Sequence, residues 1–197
     1  MTFAGLLRLF GLSSIIGGLA IALVQVWYYF DQDSFIAAYF DQVGYSLIAF
    51  GIIGLYLSQY KSFGGFGQFS FIILSLGMSL WLGYKWFQTF IAVDLEKSAP
   101  ELLDTGIHTA VFGMNLSLYS LLIGALLFAL VSFWKGVLSR WGSAFLILAV
   151  LAILVPYGSL VSQIIAGIAF IFLGTSLYKG NNEDVTRAKL NAQAGWD

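Results

Sequence analysis

Apolar positions in this chain come in long unbroken runs, not in stripes. A helix on a soluble core repeats its apolar residues every three or four positions, and a half-buried strand alternates them. Here uncharged stretches follow one another with only short charged breaks between them. A bilayer-crossing helix needs about 20 mostly apolar residues. Residues 9–30 carry no charge and predict a first such helix, and 43–60 a second. A third covers 66–93 with one charge, Lys85, inside it, and a fourth covers 106–134.

The last stretch, Trp141–Tyr178, has 38 uncharged residues. As one helix it would be about 57 Å long, nearly twice a hydrocarbon core of about 30 Å. It must fold back, and Pro156-Tyr157-Gly158-Ser159 is its strongest turn signal. The expected elements are helices over 141–156 and 160–178, with a re-entrant hairpin as the alternative. Residues 179–197 are polar and read as a cytoplasmic tail, with a short surface helix around 183–193. The run at the N-terminus is too long for the core of a cleavable signal and reads as the first span. The predicted fold class is therefore all-α, a polytopic integral membrane bundle of six transmembrane helices in one domain over 1–178.

Charge orients the bundle. Cytoplasmic loops collect Lys and Arg. Arg8 precedes the first span, Lys61 lies between the second and third, and Lys135 and Arg140 lie between the fourth and fifth. Lys179, Arg187 and Lys189 follow the sixth. One rule puts all of these on one side, leaving Lys97 outside and Lys85 within the membrane. Both termini are then cytoplasmic. The outer loops are acidic: Asp31, Asp33 and Asp41 in the first, Asp94, Glu96, Glu101 and Asp104 in the second. Their spacing is not that of an EF-hand, and they read as a solvated face.

Composition agrees and excludes much. Of 197 residues 59% are hydrophobic and 10% charged, against about 25% charged in soluble domains. A net charge of −1 offers nothing to a phosphate backbone, so nucleic acid is not an expected partner. There is no cysteine and a single histidine, His108. Thiolate sites, multi-His zinc and bis-His haem within one chain are excluded. No motif implies a cofactor, and no metal site or catalytic residue is assigned. Gly64-Gly65-Phe66-Gly67 lacks a following phosphate-binding lysine and reads as a turn.

Six residues are candidates for binding a ligand. Lys85, an ionisable group at membrane depth, is the first. It shares a helix face with Trp81, Gln88 and Thr89, and its stem can reach Asp94, Glu96 or another outer carboxylate by snorkelling. His108 heads a stripe with Phe112, Asn115 and Tyr119. Gln163 shares a face with Gly167 and Gly174. Gly11, Ser14 and Gly18, and Gly51 with Gly54, are small residues at the spacing that lets helices approach closely in lipid.

Two segments carry a resemblance. Leu7-Arg8-Leu9-Phe10-Gly11-Leu12 with Ile16-Gly17-Gly18 is one. Gly124-Ala125-Leu126-Leu127-Phe128 through Lys135-Gly136-Val137-Leu138-Ser139-Arg140-Trp141-Gly142 is the other. Together they resemble a broad group of small six-helix bacterial membrane proteins of unknown function, in which Pro stands at the place of Ser139. The resemblance implies a helical bundle in a bacterial plasma membrane and no activity.

Three functions are expected in descending order. The first is a non-catalytic integral subunit or accessory protein of a larger membrane assembly, in contact with lipid, other membrane proteins or further copies of itself. The second is a carrier or ligand-binding protein with a pocket near Lys85, drawing on Gln88, His108, Asn115, Tyr119 and Gln163. The third is a membrane enzyme, for which the outer carboxylates are the only supply of acid and base.

Overall fold

The computed structural model describes residues 2–31, 34–99, 108–136, 138–155 and 158–193, without the side chains of 108–110 and 181–193. Its elements are α1 (Phe3–Phe30), α2 (Phe35–Trp86), a π-helical turn (Phe87–Ala92), α3 (Val93–Ser98), α4 (His108–Lys135), α5 (Arg140–Ala152) and α6 (Gly158–Gln193). No strand occurs among the described residues. Hydroxyl caps start three of the helices: Thr2 accepts from the Gly5 amide, Ser34 from Ala37 and Ser139 from Gly142. Each satisfies an amide that a helix start leaves open.

The Ser34 cap explains a difference from the sequence reading. The second helix begins at Phe35, not at 43. Asp41, assigned to an outer loop, is inside the helix and 1% exposed. The fifth helix is also shorter than 141–156, ending at Ala152, and the expected turn at Pro156 and Tyr157 lies outside the described residues. The helix expected around 183–193 is present as the continuation of α6.

Gly64 divides α2 in two. Its φ of 64° and ψ of −171° are open to glycine and strained for other residues. Contacts then step away from Gly64 on both sides. Tyr56 stacks on Phe71 at 4.0 Å, Tyr45 meets Trp81 at 6.0 Å, and Asp41 meets Lys85. Arms 35–63 and 65–86 are thus the two sides of an antiparallel hairpin.

Small residues join the rods. Gly17 of α1 lies on Gly44 and Ile48, and Gly51 lies on Ser14. Gly11 and Gly18 meet Gly174 and Gly167 of α6, and between them the Ser14 hydroxyl donates to the Phe170 carbonyl at 2.8 Å. Arm 65–86 packs on α4 through Gly77 on Leu121 and Gly124 on Leu74. α4 contacts α5, and α5 pairs with α6 through Ser162 to the Ala149 carbonyl at 2.6 Å and Gly142 on Leu173. The α1–α6 contact joins the two ends of the chain's helical order, and arm 35–63, with Ile48, Ile52 and Leu55 at most 2% exposed, forms its core.

The outside is apolar. Leu9, Leu12, Ile16, Leu19 and Leu23 of α1 are exposed, as are Phe66, Phe69, Ile72 and Leu76 of the second arm. Among the described residues four helices, Phe3–Phe30, Phe35–Ser98, Val111–Lys135 and Gly158–Gly180, are long and apolar enough to cross a membrane. The chain is accordingly an all-helical membrane protein. α5, with 13 residues, is about 20 Å long.

Candidate functional site

Arm 35–63 places Asp41 about 30 Å along its axis from Lys61, close to the full thickness of a hydrocarbon core. The hairpin brings Lys85 of the second arm to the same level. Lys85 Nζ lies 2.7 Å from Asp41 Oδ2, with the lysine side chain 16% exposed and the carboxylate 1%. The pair is thus closed on the carboxylate side and open on the amine side. Neither oxygen of Asp41 has a hydrogen bond of good geometry, so charge alone holds them.

Two aromatic faces complete the surroundings of the amine. Nζ is 5.4 Å from the centre of the Trp81 ring and 5.7 Å from that of Tyr45, within the range where a ring quadrupole attracts a cation. Both rings are set by helical spacing: Tyr45 is four residues after Asp41, and Trp81 four before Lys85. Tyr45 also reaches the other way. Its hydroxyl donates to Gln163 Oε1 at 3.0 Å, and Gln25 Nε2 donates to the same oxygen at 2.9 Å. Arms 35–63 and 65–86, α1 and α6 therefore meet in one polar cluster.

The cluster is not closed on itself. Besides the Asp41 oxygens, Gln42 Oε1 and Trp81 Nε1 are buried without a hydrogen-bond partner. Gln42 uses only its amide, which donates to the Leu82 carbonyl at 3.5 Å. Just past Lys85 the helix widens into the π-helical turn Phe87–Ala92; the Phe87 amide at its start still bonds the Gly83 and Tyr84 carbonyls, four and three residues back. Such turns concentrate at functional sites. A second, smaller polar spot lies near the bend: Gln59 bonds Ser132 Oγ at 3.3 Å while its own Oε1 is unpartnered.

Of the six residues singled out by sequence, Lys85 and Gln163 meet here through Tyr45. Gln88 is exposed and donates to the Tyr84 hydroxyl at 2.7 Å. Asn115 and Tyr119 sit on α4, Tyr119 60% exposed. His108 begins α4, and its side chain is outside those described. Asp41, Gln42, Tyr45 and Gln25 are the additions. Asp41-x-x-x-Tyr45 and Trp81-x-x-x-Lys85 share one spacing on the two sides of a glycine turn, a signal that was present in the sequence.

No protein-family model, curated protein or solved structure matches the chain.

Proposed function

We propose that this is a six-span protein of a bacterial plasma membrane, with both termini cytoplasmic, that binds or carries a small polar solute at the Asp41–Lys85 cluster. One observation carries the reading: a fully buried carboxylate is held against an amine while polar atoms around both lack partners. In lipid, ionisable groups facing a bundle interior mark binding sites and solute paths. The cluster sits at the outer end, where a solute arrives through the exposed side of Lys85. The test is native mass spectrometry of the protein from its source membrane, followed by uptake into proteoliposomes. A bound small molecule lost in Asp41→Asn supports the reading. An empty chain that moves no solute under any gradient ends it.

The six-span arrangement has its own test. The chain has no cysteine, so single cysteines report without background. Cysteines at Asp33 and Glu101 are expected to react with an impermeant reagent from outside, and those at Lys61 and Asn182 only after lysis. Labelling of the Asp33 and Lys61 positions from the same side refutes it.

The other reading is a non-catalytic subunit of a membrane assembly, or a self-associating protein. Its support is the apolar stripe Phe66, Phe69, Ile72, Leu76 and Leu80 on the outer face of arm 65–86, which suits a partner helix as well as lipid. The glycine stripes give it little, because they are occupied within the chain. Co-migration with other polypeptides in native gels favours it.

A further inference from the structure

We infer that Asp41, Tyr45 and Trp81 form a site for the ammonium group of an organic amine, and that Lys85 is its built-in occupant. The inference rests on the solute-binding reading above and names the class of solute.

The argument starts from what surrounds Nζ. A carboxylate supplies the opposite charge at 2.7 Å, and two ring faces at 5.4 and 5.7 Å supply a non-aqueous coat. A carboxylate with aromatic faces selects an organic ammonium over a small metal ion, which keeps its water and wants several oxygens. An anion is disfavoured beside an already buried carboxylate. The unused acceptors point the same way. Asp41 Oδ1 and Gln42 Oε1 are both buried without a hydrogen bond, and an ammonium brings three donors. Lys85 is the occupant that can leave. Its long flexible stem is on the exposed side of the pair, and swinging it outward puts its charge at the membrane interface. Asp41 cannot leave, being 1% exposed on the most buried arm.

An incoming ammonium and the lysine therefore compete for one place. A site filled by its own lysine for nine-tenths of the time binds a free ligand about ten-fold more weakly than the empty site. Lys85→Ala empties it, and n-propylammonium has the atoms removed by that substitution. In detergent, or in nanodiscs made only of phosphatidylglycerol, n-propylammonium is expected to raise the melting temperature of Lys85→Ala at concentrations at least about ten-fold lower than for wild type. n-Propanol and sodium are expected to do nothing, and Asp41→Asn/Lys85→Ala is expected to lose the response. If Lys85→Ala does not fold alone, recovery of folded protein with n-propylammonium is the same readout.

Two sources of the amine are separated by lipid. Nanodiscs containing phosphatidylethanolamine that stabilise Lys85→Ala without added amine identify a lipid headgroup as the occupant. Stabilisation by the soluble amine alone identifies a soluble one. A Lys85→Ala protein indifferent to both, folded or not, overturns the inference. In that case a wild-type protein that still binds a neutral or acidic solute in an Asp41-dependent way leaves the solute-binding reading standing, and one that binds nothing removes both.

Discussion

The α1–α6 contact is the closure of the bundle, and Gly18→Ala tests it. A Cβ at Gly18 would lie 2.5 Å from the Gly167 carbonyl oxygen, and a Cβ at Gly167 the same distance from the Gly18 oxygen. Carbon and carbonyl oxygen rest at about 3.3 Å or more, so one methyl must part the helices by roughly 0.8 Å. The Ser14–Phe170 bond, 2.8 Å one turn away, then stretches to roughly 3.6 Å, beyond hydrogen-bond range. Overpacking costs about 1–3 kcal/mol and the lost bond about 1 kcal/mol. Alanine returns about 1 kcal/mol through helix propensity. The net expectation is a loss of about 1–3 kcal/mol, because in lipid no hydrophobic term compensates for lost packing. Gly113→Ala is the control: nothing lies within 4 Å of that Cβ, so it should be neutral or gain up to about 1 kcal/mol. The assay is reversible unfolding in mixed micelles. Gly18→Ala/Gly167→Ala should cost less than the two single effects together, since one separation relieves both clashes. Equal stability of Gly18→Ala and Gly113→Ala refutes the contact.

Further outcomes follow from the same assay. Gly64→Ala should lose about 1–3 kcal/mol by backbone strain alone, because its Cβ meets nothing within 4 Å, while Gly65→Ala, equally open, should not be destabilised. Gln163→Leu should cost about 1–3 kcal/mol, since it strands the Tyr45 hydroxyl and the Gln25 amide, and a null effect would show that the cluster is not formed. Lys85→Met leaves Asp41 alone in the core and should cost about 3–5 kcal/mol. Asp41→Asn should cost less, because Lys85 can turn outward, and the double variant should recover most of the loss. Additive single effects would show that the two groups do not pair.

The bundle was legible where length and charge decide. Residues 9–30 read as a helix because nothing charged interrupts them, and Gly64-Gly65-Phe66-Gly67 reads as a turn because it is glycine-rich and lies beside Lys61 between two apolar runs. The N-terminal boundary of α2 was not legible by the same rule. Asp41 was counted as a loop residue because charge usually marks a span's end, whereas here the Ser34 hydroxyl starts the helix earlier and the fold buries the charge. Lys85 was recognised as an intramembrane amine, and an outer carboxylate was foreseen as its partner. Which carboxylate depends on the register of the hairpin, which no local pattern carries. The glycine stripes were identified as contact surfaces. That the stripes of α1 and α6 face one another within the chain follows only from the closure of α1 on α6, and that Gly51 meets Ser14 follows from the packing of α2 on α1.

As a fastener the Asp41–Lys85 pair is a poor choice. The two arms are already joined at Gly64 and by the Tyr56–Phe71 and Tyr45–Trp81 contacts. An apolar pair at the same level would hold them at least as well, since replacing a buried ion pair by packed apolar residues is often neutral or stabilising. The pair is also incomplete by the standard of a structural network, because a buried carboxylate without a hydrogen bond is worse than no polar group at all. Elsewhere the bundle solves such problems cheaply: Ser14, Ser162 and Thr175 return their hydroxyls to backbone carbonyls. The departure from that economy is greatest at this cluster, with Gln59 Oε1 and Arg8 Nε the other unpartnered buried side-chain atoms among the described residues. It falls where the amine is partly exposed, and beside the π-helical turn that begins two residues after Lys85. Local rules are broken in this way where a protein keeps a group for what it binds, and the tightly packed glycine contacts of the remaining bundle supply the stability that the departure costs.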